Sequence, residues 1–258
     1  HFKMKIAILI KQVPGSESSL PLNSDQSWVD ESSVTYVMNP PDNYALEEAL
    51  LISEKSGEAE VVVISMGPDR TQKVIREGLA KGADRGIHIK ELNHIEKDPL
   101  TIAKAFTSVL KEENFDLVLT GLQSDDTGMG QTGVLIGEML GFSTATLAVE
   151  TNLENDNKIK IKRELESGWF QWITMPLPAS ISIQSGLNSP RYPSLKGIMG
   201  AKKKDIKTVD FDLQNDPLQN INTISIPKTT KQTEIIDCET DQAVDRIVNI
   251  LKSEIKVL

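Results

Sequence analysis

Cysteine is almost absent from this chain: Cys238 stands alone among 258 residues, so no internal disulfide framework exists. A solitary thiol without a helpful local pattern reads more readily as a small buried hydrophobe than as a nucleophile. Histidine is nearly as scarce, with only His1, His88 and His94. His1 belongs to a stretch, His1-Phe2-Lys3 ahead of Met4, that reads as an expression remnant. A zinc site or Ser-His catalysis is therefore poorly supplied with residues. Basic charge is short as well: 28 Lys and Arg against 37 Asp and Glu give a net charge of -9, the wrong sign for a general nucleic-acid surface. No apolar run approaches the ~20 residues that cross a bilayer, so no membrane insertion is expected. No charged-then-apolar leader follows Met4, and the expectation is an intracellular protein.

What is present is strand and helix in alternation. Residues 4–10 form a short β-branched apolar run, the expected opening strand of a buried parallel sheet. A polar loop through Pro14-Gly15-Ser16 reaches Trp28. Asn39-Pro40-Pro41-Asp42-Asn43 then leads into a helical stretch over 44–52. Further strands are expected at 60–66, 86–89 and 115–120, with helices over 71–79 and after Asp98-Pro99, where proline suits the first helical turn. This alternation predicts an α/β fold: a parallel, Rossmann-like sheet with helices on both faces. After about residue 142 the rhythm changes. Residues 159–163 alternate apolar and basic, and segments around Trp169-Phe170 and over 179–183 read as extra strands antiparallel to their neighbours. From 205 to 258 the chain is polar before a terminal helix over 243–255, and reads as an arm with too few apolar residues for its own core.

Ligands of such sheets sit at the carboxyl ends of the strands. Four segments fall there: 9–13, 39–42, 65–68, and Gly121-Leu122-Gln123-Ser124-Asp125-Asp126-Thr127-Gly128-Met129-Gly130-Gln131-Thr132-Gly133. The last joins a strand to an apolar helix beginning near Val134, and its glycines allow several backbone N–H groups to converge on a phosphate. It reads equally as a flexible loop with a helix start. Neither a G-x-G-x-x-G nor a G-x-x-x-x-G-K-[ST] occurs, which counts against a dinucleotide dehydrogenase and a P-loop hydrolase. No Ser-Gly-Gly-x-Asp-Ser loop follows the first strand, which counts against an ATP-using ligase or pyrophosphatase.

Several blocks occur in a telling order: Asn39-Pro40 with Ala45-Leu46-Glu47-Glu48-Ala49, then Ser65-Met66-Gly67-Pro68, Gly82-Ala83-Asp84-Arg85-Gly86, Gly121-x-Gln123 and Gln131-Thr132-Gly133. Asn188-x-Pro190-Arg191-Tyr192 and Ile198-Met199-x-Ala201-Lys202-Lys203-Lys204 close the series. Across residues 4 to 210 the chain resembles the beta subunits of electron-transfer flavoproteins. The resemblance implies an electron-carrier subunit rather than an enzyme, with no catalytic residue and no metal. It would pair with an alpha subunit that holds the FAD, and would itself bury an AMP. The AMP would be lined by Leu9, Asn39, Pro40, Pro41, Asp42, Met66, and by Gln123, Ser124, Asp125, Asp126, Thr127, Gly128, Met129, Gly130, Gln131, Thr132, Gly133 and Val134. A loop with Arg191, Tyr192, Leu195, Ile198 and Met199 would dock acyl-CoA or related dehydrogenases, with Leu195 as anchor, and electrons would leave to a membrane quinone oxidoreductase. Residues 4–204 would form the nucleotide-binding domain and 205–258 an arm on the alpha subunit. The location implied is the bacterial cytoplasm or the mitochondrial matrix. An electron-bifurcating branch of the family binds a second FAD in place of AMP; Asp42 resembles that branch, and Gln131-Thr132-Gly133 the AMP-binding one. A universal-stress-type nucleotide sensor shares the sheet but leaves the 188–204 block unexplained. Trp169 and Trp172 are expected on opposite strand faces, in core or interface packing rather than on a flavin.

Overall fold

A computed structural model of the chain describes residues 4–93, 97–211, 217–227 and 233–258. The His1 and His94 readings lie outside these residues. Buried β-branched runs form the inner strands: β1 (Met4–Leu9), β4 (Ala59–Gly67), β5 (Arg85–Lys90) and β6 (Leu117–Gly121). Gln12–Pro14 (β2) and Tyr36–Met38 (β3), on either side of the expected polar loop, pair as a separate antiparallel ribbon. The remaining strands are β7 (Ser143–Glu154), β8 (Lys158–Glu164), β9 (Phe170–Pro176), β10 (Ala179–Ile183) and β11 (Ile206–Asp210). The main sheet has nine strands in the order β11-β5-β4-β1-β6-β10-β7-β8-β9. All neighbours from β11 to β7 are parallel, and β8 and β9 continue antiparallel.

The α/β expectation holds, with two corrections. Strand β10 was expected to be antiparallel but lies parallel between β6 and β7, in register from Ala179↔Leu117 to Ile183↔Gly121. Its Ile181 and Ile183 are fully buried, as a strand inside a parallel sheet requires. Strand β11 also joins the sheet, on β5, so the first compact unit extends past residue 204 to Thr223.

Helices α1 (Pro40–Ser56), α2 (Gln72–Lys81) and α5 (Leu195–Ala201) cover one face; α3 (Pro99–Glu113) and α4 (Thr132–Leu140) cover the other. Pro40 and Pro41 occupy the first turn of α1, where a missing N–H costs nothing, so the helix starts ahead of the expected 44. It ends at Gly57, whose φ of 77° closes a left-handed cap. Ile6, Ile8, Leu46, Ile64, Leu117 and Leu119 are fully buried, each stabilising the fold by about 1.5–3 kcal/mol.

Residues 224–258 form a second unit, described by itself. Within it α6 (Thr240–Asn249) continues as a π-helical turn over Ile250–Glu254, and Arg246 pairs with Glu234 and Glu254. Val244, Ile247 and Val248 are exposed on α6. Cys238, expected to be buried, is exposed. Trp169 precedes β9 and is 73% exposed, and Phe170 and Trp172 lie open on that strand with the Lys162 ammonium over both rings. These aromatics are therefore not core residues of this chain.

Candidate functional site

The chain order reverses where β4 lies on one side of β1 and β6 on the other, and a cavity of about 200 Å³ opens at the carboxyl ends of these strands. Its floor and one wall are apolar: Leu9 from β1, Met66 from β4, and Ile102 and Phe106 from α3. The glycine-rich loop from Gly121 to Gly133 forms the opposite side and leads into α4. Thirteen of the eighteen expected cofactor residues line this cavity: Leu9, Asn39, Asp42, Met66, Gln123, Ser124, Asp126, Thr127 and the run 129–133. Pro40 and Asp125 border a neighbouring cleft with Pro14 to Ser18, while Pro41, Gly128 and Val134 lie in neither wall.

Side-chain amides and carboxylates brace the site from below. Asn39 Nδ2 donates to Gln123 O (2.9 Å) and its Oδ1 accepts from Asp125 N (3.0 Å), clasping the start of the glycine-rich loop. Asp42 accepts from Lys11 N (2.7 Å) and Gly121 N (3.2 Å), tying the ends of β1 and β6 to the first turn of α1. Burial raises the Asp42 carboxyl to about 7, against the opposing pull of these hydrogen bonds and of the Lys11 charge. Gly121 is required here for space: a Cβ on it would stand 2.2 Å from Asp42 Oδ1.

Lys11, absent from the expected set, reaches across the loop. Its Nζ lies 2.7 Å from Asp126 Oδ1 and within hydrogen-bond reach of the Ser124 and Thr127 hydroxyls. Burial pushes the Asp126 carboxyl up, but the Lys11 ammonium and the Ser124 hydroxyl hold it below the usual range. This ion pair neutralises the one loop carboxylate that lines the cavity. Trp28, presented by a short turn in which Leu22 bridges Val29, forms part of the rim. The outer wall comes from far along the chain. Asp98 caps α3 by accepting from Thr101 N (2.7 Å), and its second oxygen accepts from Leu218 N (2.8 Å). That bond lays Gln219, Asn220 and Ile221 over the mouth. Only the capping half of this arrangement is legible locally, in Asp98-Pro99.

The arrangement offers an apolar slot beside the first turn of α4, which receives no side-chain cap bond. Among the described residues no cluster of His, Cys, Asp or Glu could hold a metal. His88 is buried on β5, its Nε2 2.9 Å from Gly67 O, away from any nucleophile in the cavity.

A second expected surface lies on α5 and the loop before it. Residues 26–214 match the electron transfer flavoprotein domain family. The chain belongs to the electron-transfer flavoprotein family, among its beta subunits. It is 36% identical to the mitochondrial electron transfer flavoprotein subunit beta of Arabidopsis thaliana, over 99% of this chain and 100% of that protein. The Methylophilus methylotrophus subunit beta is 35% identical over 96% of this chain and 98% of its own length. The human subunit beta is 34% identical over 93% and 94%. Among the described residues no helix is long and apolar enough to cross a membrane.

In this flavoprotein subunit Leu195 begins α5 with 75% of its surface exposed, and Tyr192 is 94% exposed. With Ile198 and Met199, also exposed, they form an apolar ridge. Arg191 differs. Its guanidinium is occupied within the chain, with Nη2 2.9 Å from Glu47 Oε1 and Nη1 2.5 Å from Glu54 Oε1. Asn188 Nδ2 donates to Tyr44 O (3.1 Å) and Glu48 Oε2 (3.0 Å). Arg191 thus fastens the loop to α1 instead of projecting outward. The α5 helix is held in turn by Arg76, which donates to Ala201 O (2.7 Å) and Lys204 O (2.5 Å).

Proposed function

We propose that this beta subunit buries an AMP in the cavity at the ends of β1, β4 and β6 and presents the Tyr192–Met199 ridge to an electron-donating dehydrogenase. Electrons would then pass through the FAD of an alpha subunit to a membrane quinone oxidoreductase. The single observation that carries the nucleotide reading is the pairing of an apolar slot with the uncapped first turn of α4. Leu9, Met66, Ile102 and Phe106 suit a purine ring. The Gln131 side chain makes no cap bond to α4, so the N–H groups of its first turn remain for an anion. Lys11 and Asp126 cancel one another, so the one loop carboxylate that lines the cavity presents no net charge to a phosphate.

The residues present fit AMP better than a second FAD. Asp42, the residue that resembles the bifurcating branch, has both carboxylate oxygens engaged by backbone N–H groups and is unavailable to a flavin. The alpha-subunit FAD supplies the redox chemistry on this reading; the residues of this chain bind, position and dock. As a non-catalytic subunit it needs no acid, base or nucleophile. It would work in the bacterial cytoplasm or the mitochondrial matrix, wherever its dehydrogenases reside.

The exposed apolar face of α6 supports an obligate alpha partner for the second unit. Co-expression with an alpha subunit should give a 1:1 heterodimer, and mass spectrometry of the released nucleotides should find one AMP and one FAD. Two FAD and no AMP per heterodimer would establish the bifurcating assignment instead. A stable lone chain that keeps its nucleotide would count against obligate pairing.

A further inference from the structure

Three buried side-chain polar atoms have no hydrogen-bond partner among the described residues: Tyr36 Oη, Asn188 Oδ1 and Thr120 Oγ1. Thr120 is the one that lines the nucleotide cavity. It is the penultimate residue of β6, 7% exposed, and its side chain lies on the α3–α4 side of the sheet with Val118, opposite to Leu117 and Leu119. The start of α4 passes directly over it: a Cβ built on Gly133 would stand 2.6 Å from Thr120 Oγ1. Gly133 has no left-handed φ, so glycine serves this close approach and not a special turn. Ser180 Oγ donates to Gly133 O (3.0 Å) and fixes the helix start against β10 from the other side.

An isolated hydroxyl withdrawn from water is unfavourable unless something bonds it, and native folds rarely leave one unpaired. Here the orphan hydroxyl sits under the first turn of α4, whose N–H groups have no intrahelical acceptor and receive no side-chain cap bond among the described residues. Groups that converge on one point and all lack a partner share a missing one. The N–H groups can only donate, so the missing group must accept, and it must be small enough to enter beside Gly133. An oxyanion meets both conditions.

We propose that Thr120 Oγ1 is a phosphate-binding group of this site, donating its hydroxyl hydrogen to a phosphoryl oxygen of the bound nucleotide held at the N-terminus of α4. The assignment rests on the nucleotide reading above and adds to it a side chain from β6 that no local motif announces. Thr120 would complete a cradle in which the α4 backbone supplies the other donors and Gly133 leaves room for the oxygen.

The test compares AMP, adenosine and inorganic phosphate binding by calorimetry to the heterodimer with an alpha subunit, freed of bound AMP, for the parent, Thr120→Val and Thr120→Ser. Valine keeps the shape and removes the hydroxyl; serine keeps the hydroxyl. AMP binding should weaken about tenfold to a hundredfold in Thr120→Val, as expected for a hydrogen bond to a charged group, and remain within a few-fold in Thr120→Ser. Adenosine binding should be unchanged in both, and the nucleotide-free Thr120→Val protein should melt no lower than the parent. Equal AMP affinity in parent and Thr120→Val would overturn the assignment while leaving the AMP site intact. An equal loss for AMP and adenosine would also overturn it, since the hydroxyl would then not act on phosphate. Hydroxyl-dependent binding of inorganic phosphate, with AMP no tighter, would keep the Thr120 contact and remove the nucleotide reading. A parent that binds none of the three probes would overturn both.

Discussion

Replacing Arg191 by methionine separates a latch from a docking contact. Glu47 is 5% exposed, and it faces Arg191 Nε at 2.9 and 3.1 Å and Nη2 at 2.9 Å, besides the Arg191 backbone N–H at 3.0 Å. Methionine keeps most of the apolar stem and the backbone bond but leaves the Glu47 carboxylate buried without its cation. Breaking a buried pair by removing one partner costs about 3–5 kcal/mol. The Arg191 side chain is 31% exposed, so water can reach part of the vacated space and the cost falls below that range, to about 2–3 kcal/mol. For a unit of this size that corresponds to a melting temperature lower by roughly 5–10 °C. Glu54, more exposed, contributes little of this. Glu47→Gln in the same protein removes the stranded charge and should recover a good part of the loss, giving a clear coupling in a double-mutant cycle. Lysine at 191 should rescue poorly, because it cannot reproduce the forked contact with two carboxylates. Thermal melts of the four variants, read alongside electron-transfer rates from a dehydrogenase, decide the matter. Normal melting with slowed transfer in Arg191→Met would refute the latch and return Arg191 to the docking surface.

Other positions give sharper single outcomes. Leu195→Ala should leave folding and nucleotide content unchanged, because most of the side chain is already in solvent, while costing about 1–3 kcal/mol in dehydrogenase binding; a lowered melting temperature would make it a packing residue instead. Gly133→Val should reduce AMP retention and stability, since a side chain there meets Thr120 Oγ1 at 2.6 Å and Thr120 Cγ2 at 3.3 Å, an overpacking cost of about 1–3 kcal/mol; unimpaired AMP content would contradict this. Asp42 should make stability fall as pH rises from 3.8 towards about 7, because the folded chain keeps a proton there that the unfolded chain has released. The full effect is bounded at about 4 kcal/mol, and denaturant titrations between pH 4 and 8 should show a flatter profile for Asp42→Asn; identical profiles would place the buried proton elsewhere.

Much of this was legible in the residues because it was local. Apolar β-branched runs mark β1, β4 and β6, and Asp98-Pro99 announces α3 through a cap and a proline, both of which act within one turn. Strand β7 passed unread because Ser143–Glu154 mixes Thr, Ala, Asn and Glu without a clean period of two, and its place is set by β10 and β8 on either side. The direction of β10 is likewise fixed by the sheet around it and not by its five residues. In the site, the glycine-rich loop and Asn39 were visible. Lys11 fell in the strand-end segment 9–13 but was not singled out, and Thr120 and 219–221 were not visible, since they enter the cavity only through contacts across the fold. Arg191 carried the opposite lesson: its place in a recognisable block said nothing of the two glutamates waiting on α1.

The cavity is bounded by residues as early as Leu9 and as late as Ile221. Growing from the ribosome, the chain lays down β1, β4 and β6 long before the segment that Asp98 pulls across the opening. The cavity therefore exists first as an open groove, and the contacts that close it span most of the chain. A nucleotide held there as proposed would be sealed in only once the chain reaches residues 218–221, so fragments that end before them should fail to retain it.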